Sequence, residues 1–222
     1  ALAEFHGENW RWEAAMLVVL IVTLRGGRRI PAPEWRPRMA ALPLVLTLLL
    51  GALLFIQIRD DQQGVILARR NFYGTFKVRN HGDPGEAGQY RLLLHGVTTH
   101  GLQILKPEYR RWPTSYYGPE SGLGRALARF PEGRPRHIGV VGLGTGTLAA
   151  YGRRGDRVRF YEINPAVEEV ARSQFSFLAD SPAQVKVVSG DARLVLEAER
   201  ARGERQNFDV LALDAFSSDA IP

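Results

Sequence analysis

The chain has 222 residues, with 29 Lys+Arg against 23 Asp+Glu and a formal net charge of +6, a length that suits one ordinary domain plus an additional segment. It contains no cysteine, which excludes disulfides and thiolate-bound metal, and its five histidines form no HExxH pattern, so no metal is expected. No stripe of basic residues interleaved with aromatics is present, so no nucleic-acid partner is expected.

The chain opens on Ala1 and closes inside a turn at Pro222, which predicts a piece of a longer protein. Residues 14–24, "AAMLVVLIVTL", follow Trp10 and Trp12 and form a candidate partial membrane span. Residues 39–58, "MAALPLVLTLLLGALLFIQI", hold no charge and are about as long as a bilayer-crossing helix. Arg25, Arg28, Arg29, Arg36 and Arg38 fill the loop between them, a pattern that favours the cytoplasmic face. One further crossing would then place the rest of the chain outside, against the cytoplasmic position expected of its later domain; a re-entrant 39–58 or helices upstream would reconcile the two. Residues 1–60 are therefore expected to be a membrane segment, with lipid as partner and the cell membrane as location.

Residues 61–130 change texture. "GVILARR", "GTFKVRN" and "QYRLLLHG" read as short strands separated by Gly, Asn and "HGDPGEAG", which predicts a small antiparallel β module. "RWPTSYYGPESGLGRALARF" (111–130) follows as a loop and then a helix starting near Ser121. His95 and His100 read as polar residues on the surface of this module in preference to a catalytic pair.

Residues 135–222 alternate strand and helix. "HIGVVGLG" reads as a strand and "TLAAYG" as the start of a helix; "RVRFYEI" is a second strand and "PAVEEVARSQFSFL" a helix with Pro in its first turn. "VKVVSGD", "ARLVLEAERAR" and "FDVLALD" complete the series as strand, helix and strand. The rhythm predicts a Rossmann-like α/β domain, a parallel sheet covered on both faces. It stops at the fourth strand, so the sheet is expected to be truncated at its C-terminal side.

Gly142, Gly144 and Gly146 in "GLGTGT" follow the first strand, where glycines let the backbone turn tightly and approach a ligand. Glu162 ends the second strand about twenty residues later, the separation at which a carboxylate reaches both hydroxyls of a ribose. Asp191 ends the third strand, beside Ala192, whose small side chain leaves room for a flat ring. The loop lacks the GK[ST] ending of a phosphate-binding loop, so the pattern points to a nucleoside. Asp214 leaves the fourth strand either as a binding group at the mouth of the sheet or as a turn former.

These blocks resemble the S-adenosylmethionine-dependent methyltransferase fold. More closely, "HGVTTHGLQ", "PTSYYGPESGLGRAL", "GLGTGTLAAY", "FYEINPAV" and "LDAFSSDAIP" resemble the polyamine aminopropyltransferases (spermidine synthase family), in the membrane-fused bacterial branch with hydrophobic helices before the synthase domain. The resemblance covers roughly 65–222. It implies aminopropyl transfer from decarboxylated S-adenosylmethionine to a diamine such as putrescine. Gly142, Gly144 and Gly146 would hold the amino-acid end of that co-substrate, Glu162 its ribose and Asp191, with Ala192, its adenine. Gln103 or Thr99 would match a co-substrate-contacting Gln. Asp214 would match the acid that takes the proton from the attacking amine, and Tyr116 or Tyr117 a substrate-site Tyr. Asp219, with Asp214 and Glu120, would add negative charge for a polycation.

Two departures accompany the resemblance. Thr145 stands where the family has an acid facing the terminal ammonium of decarboxylated S-adenosylmethionine. The family's Asp-Ser-Ser-Asp cluster is stretched to "DAFSSD", which bears on the reach of Asp219. Transfer of a methyl or aminocarboxypropyl group, or a non-catalytic nucleoside or polyamine sensor, therefore stands beside the leading reading. A homo-oligomer is compatible with all three.

Overall fold

The computed structural model describes residues 36–86, 88–96 and 98–215. The candidate partial span 14–24 and Asp219 lie outside the described residues. The chain divides into two compact units at Gln63/Gly64.

The first unit contributes helix α1 (Arg36–Gln62). The uncharged stretch 39–58 falls inside it, as a run of Leu, Ala and Ile favours. Leu44, Leu48, Phe55 and Ile58 are all exposed. Yet among the described residues no helix is long and apolar enough to cross a membrane. Arg59, Asp60 and Asp61 follow the uncharged stretch within the same helix.

The second unit begins with an antiparallel meander: β1 (Val65–Asn71), β2 (Gly74–His81), β3 (Tyr90–His95) and β4 (Thr98–Ile104), in the order β1-β2-β3-β4. The first three are the predicted strands. The fourth was not predicted, because "TTHGLQI" is polar through its first half and holds a glycine. It pairs all the same, with His95 opposite Thr98 and Tyr90 opposite Ile104. The register slips once: Leu93 faces Gly101 and Leu94 faces Thr99, which leaves His100 as the extra residue of a β-bulge.

A single turn of 3₁₀ helix at Ser115–Tyr117 leads to α2 (Gly122–Ala128). Ser121 caps α2, its hydroxyl accepting from the Gly124 amide at 3.0 Å, as the sequence predicts.

The parallel sheet comprises β5 (His137–Val141), β6 (Arg157–Glu162), β7 (Gln184–Ser189) and β8 (Val210–Leu213), in the order β7-β6-β5-β8. Helices α3 (Pro165–Gln174), α4 (Phe177–Asp180) and α5 (Ala192–Ala201) lie between the strands in sequence. Strands β6 and β7 extend the sheet to one side of β5 and β8 to the other, which creates a topological switch point where such sheets open a ligand crevice. The expected cover on both faces is incomplete at β8, where Leu211 and Leu213 are exposed.

Two helical readings are corrected. "TLAAYG" forms only a 3₁₀ segment, Thr147–Tyr151, because left-handed Gly146 (φ +80°) precedes it and Gly152 ends it in extended backbone. "PAVEEVARSQFSFL" breaks into α3 and α4, since Phe175 turns to an extended conformation (φ −125°, ψ 156°) and its side chain is buried.

Two hydrophobic cores hold this unit. Ile138, Val140, Val158 and Phe160 of the sheet pack with Leu127 and Leu148. Phe76, Val78 and Leu93 of the meander pack with Val170, Phe175 and Phe177. The second core seats the meander on α3 and α4. Polar ties reinforce it: Asn71 Nδ2 donates to Asn164 Oδ1 at 2.7 Å, and Arg69 grips Glu169 through bonds of 2.5 and 2.7 Å.

Candidate active site

A cavity of about 410 Å³ opens at the C-terminal ends of β5, β6, β7 and β8, with the meander as its other wall. Gly142, Gly144, Glu162, Asp191, Ala192 and Asp214 all line it. Residues 72 positions apart in sequence, Gly142 to Asp214, thus meet because the strands that carry them are neighbours in the sheet.

The glycines are required by the fold itself. All three have left-handed φ values, +96°, +53° and +80°. A Cβ at Gly142 would lie 2.4 Å from the Asp214 carbonyl, one at Gly144 2.6 Å from the His100 carbonyl, and one at Gly146 2.7 Å from Leu178. Gly142 and Gly144 line the cavity; Gly146 faces α4 instead.

Glu162 is 8% exposed. Its Oε2 accepts from the Leu143 amide at 2.9 Å and its Oε1 from the Asn164 amide at 2.8 Å. Burial pushes its carboxyl above the ordinary carboxylate range, opposed by these backbone donors. A carboxylate has about four acceptor positions, so beyond the Leu143, Asn164 and Ile163 amides it can still accept from a hydroxyl. Asp191 is exposed, and its Oδ1 caps α5 by accepting from the Leu194 amide at 3.0 Å. Ile163, 46% exposed on the cavity wall between the two acids, offers an apolar surface to a ring.

Asp214 continues the β5–β8 ladder, its amide donating to the Val141 carbonyl at 2.9 Å. The Tyr117 hydroxyl donates to Asp214 Oδ2, and the two tyrosine hydroxyls lie 3.3 Å apart. The Tyr151 hydroxyl donates to the Tyr117 carbonyl at 2.5 Å and fixes that turn. Burial pushes the Asp214 carboxyl up to about 7. Burial, together with the charge of Asp214, pushes the Tyr116 phenol up to about 12. Tyr116 and Tyr117 do not line the cavity directly; they reach it through Asp214.

Other sequence-predicted residues lie elsewhere. Gln103 is 2% exposed and outside the cavity, its Nε2 donating to Ser176 Oγ and the Arg110 carbonyl, both at 2.8 Å. Its Oε1 accepts from the Ser176 amide at 3.1 Å, so the side chain ties β4 to the α3–α4 break. Thr99 does not line the cavity. Thr145 is 1% exposed; its hydroxyl shares a 2.7 Å hydrogen bond with Thr147 and packs against Gly101. Glu120 is exposed and pairs with Arg125 at 3.4 Å. Among the described residues no cluster of three metal-ligating side chains occurs.

The meander supplies a wall: Tyr73 and Phe76, which no sequence signal singles out, line the cavity together with His95 and His100, which the sequence favours as surface residues. Phe76 was hidden by its even spacing in an ordinary strand. The signal for His100 was the "HG" pair, whose glycine (φ +151°) marks the bulge.

No family model matches the chain, and no curated protein matches it. Among solved structures, it is similar to a spermidine synthase from Thermotoga maritima at 20% identity with a TM-score of 0.46, over 68% of this chain and 48% of that one. A spermidine synthase in complex with the transition-state analogue AdoDATO gives 19% identity and a TM-score of 0.43, over 70% and 48%. A probable spermidine synthase from Corynebacterium glutamicum ATCC 13032 gives 18% and 0.46, over 72% and 54%. The chain spans about half the length of the solved structures it matches.

Proposed function

We propose that the cavity binds decarboxylated S-adenosylmethionine and that its aminopropyl group passes to a diamine such as putrescine, giving spermidine and methylthioadenosine. The observation that carries this reading is the convergence of Glu162, Asp191 and the Gly142–Gly144 loop with Asp214 in one cavity at the switch point of the sheet. The residues suit the substrate. Glu162 keeps acceptor capacity for a ribose, Asp191 Oδ2 has no protein partner among the described residues, and Ala192 and Ile163 border a space for a flat ring.

The sulfonium substrate is already a strong electrophile, so alignment and a neutral amine are what the protein must supply. The acceptor nitrogen forms its bond to the carbon beside sulfur as the carbon–sulfur bond breaks. The electron pair stays on sulfur, which leaves as a neutral thioether, and the surplus proton on nitrogen passes to the Asp214 carboxylate. A base near pH 7 fits that duty. Asp214, raised to about 7, has such a value. Tyr117 holds it in place.

The test is incubation of the full-length protein with decarboxylated S-adenosylmethionine and putrescine, with products identified by mass. Methylthioadenosine and spermidine are expected. Glu162→Gln should weaken methylthioadenosine by roughly 1–3 kcal/mol, the cost of charge-assisted hydrogen bonds to the ribose. A protein that consumes only intact S-adenosylmethionine would establish the methyl or aminocarboxypropyl reading, which gains support from the absence of an acid at Thr145. Nucleoside binding without turnover would establish a sensor.

The membrane placement belongs to the same proposal. The exposed apolar residues of α1 favour 1–60 as a lipid-associated segment, with the catalytic unit on the cytoplasmic side of the cell membrane. Detergent-free solubility of the full chain would defeat it.

A further inference from the structure

The meander spends several unusual features on placing two imidazoles. Gly74 has φ +120°, and a Cβ there would lie 2.4 Å from His95 Nε2, so this glycine vacates the space that the ring occupies. His95 Nε2 lies 2.8 Å from the Tyr73 carbonyl. A carbonyl can only accept, so Nε2 carries a proton, and Nδ1 is the ring nitrogen free of that bond. His100 is the extra residue of the β4 bulge, a device that re-aims a side chain. The two rings lie 5.4 Å apart, and both line the cavity.

His100 also sits at a defined place relative to the glycine loop. Its carbonyl is the atom that a Cβ on Gly144 would strike, at 2.6 Å. Its Nε2 is buried and has no hydrogen-bond partner among the described residues. Burial, and then the neighbouring His95, hold His100 below the ordinary histidine range, so it is neutral at pH 7. A buried, unpartnered ring nitrogen beside the loop is an acceptor awaiting a donor.

We infer that His95 and His100 together receive the terminal ammonium of the nucleoside's side chain, as the specificity-determining pair for an amine-tailed sulfonium substrate. The inference rests on the nucleoside reading of the cavity. It assigns to the meander the duty that no loop residue can perform, since Thr145 is buried outside the cavity with its hydroxyl engaged by Thr147. An unprotonated imidazole nitrogen offers a lone pair to an ammonium with three N–H donors, and the same lone pair would repel a carboxylate in that position.

The experiment measures binding of two probes to the full-length protein: decarboxylated S-adenosylmethionine, which carries the amine tail, and methylthioadenosine, which lacks it. His100→Phe keeps the ring volume and removes the acceptor. It should weaken the amine-tailed probe at least ~10-fold, about 1.4 kcal/mol, and methylthioadenosine less than 2-fold. His95→Phe should act in the same direction and serves alone if His100→Phe does not fold. His100→Gln restores an acceptor and should recover most of the loss. Equal weakening of both probes, or no weakening of the amine-tailed one, overturns the inference. Failure of wild type to bind methylthioadenosine overturns the nucleoside reading itself, and the inference with it.

Discussion

The two ends of the parallel sheet treat an aspartate in opposite ways. At the N-terminal end, Asp156 meets Arg136, and both side chains are 1% exposed. Arg136 donates to Asp156 Oδ2 through Nη2 at 2.6 Å and Nε at 3.1 Å, and the Arg136 and Arg153 amides donate to the same carboxylate at 2.8 Å. Further guanidinium bonds reach the Leu127 and Tyr151 carbonyls. At the C-terminal end, Asp214 has a tyrosine donor and no cation among the described residues. Burial pushes both carboxyls up. At Asp156 the guanidinium and backbone amides reverse this and hold it below the usual range; at Asp214 no cation among the described residues does, and it rises to about 7. A buried acid with all its partners is a fastener. A half-buried one without a counter-ion has its pKa raised, as acid–base chemistry requires.

The largest expected effect tests the fastener. Asp156→Ala leaves Arg136 buried without its partner, which should cost about 3–5 kcal/mol of stability. Urea unfolding measures it, and methylthioadenosine should bind the variant that remains folded as it binds wild type. A small loss would mean that water or the Leu127 and Tyr151 carbonyls satisfy Arg136 alone. The pH dependence has a definite sign. The folded pKa of Asp156 is depressed, so its contribution is present above the unfolded value and is lost as pH falls through the folded one.

Next comes Asp214→Asn, which keeps the shape and removes the base. Turnover in the full-length protein should fall at least ~100-fold, the lower end of general-base contributions. Stability should move the other way. The folded pKa of Asp214 is raised, so its ionisation opposes folding, by nothing below the unfolded value and by a growing amount as pH rises toward about 7. The variant should therefore be at least as stable as wild type at pH 8, with the advantage vanishing near pH 4. Wild-type turnover should rise with pH through an inflection near 7, and that inflection should be absent from the residual rate of the variant. A variant that loses stability at pH 8 would make Asp214 a fastener as well.

The same contrast explains what could be read beforehand. The four parallel strands were legible because "HIGVV" and "VLAL" are nearly continuous apolar runs, while "RVRFYE" and "QVKVVS" are rich in Val and aromatic residues between turn signals. That Glu162, Asp191 and Asp214 share one cavity was legible because each sits at or just beyond the C-terminal end of a parallel strand. The rest depends on distant packing. The helix after the glycine loop shrank to one 3₁₀ segment because Gly146 has to give way to Leu178. Gln103 looked like a ligand residue, yet a break between α3 and α4, more than 70 positions away, consumes its amide. The histidine wall needed a one-residue bulge, and nothing local in "TTHGLQI" specifies which strand will pair with it.

The smallest effect is expected at Asp191, which lines the cavity at the C-terminal end of the sheet but also does fastening work. One oxygen caps α5 through the Leu194 amide, and the exposed position gives its other oxygen less leverage than Glu162 has in its buried one. Replacing it by Ala would confound the two duties, since losing an N-cap costs about 1 kcal/mol by itself. Asp191→Ser separates them. Serine caps a helix about as well as aspartate does, but its shorter side chain does not extend an oxygen to the far side of the cavity mouth. Stability should therefore stay within about 0.5 kcal/mol, while methylthioadenosine weakens by about 0.5–1.5 kcal/mol, the net worth of one hydrogen bond. The readout specific to adenine is the inosine analogue, methylthioinosine, which has a carbonyl where adenine has its amine. Wild type should prefer the adenine form, because the Asp191 carboxylate accepts from the amine and repels the carbonyl. Asp191→Ser should bind the two alike. If the serine variant keeps the full preference, Asp191 is a helix cap and no more, and the ring is read by another group on that wall.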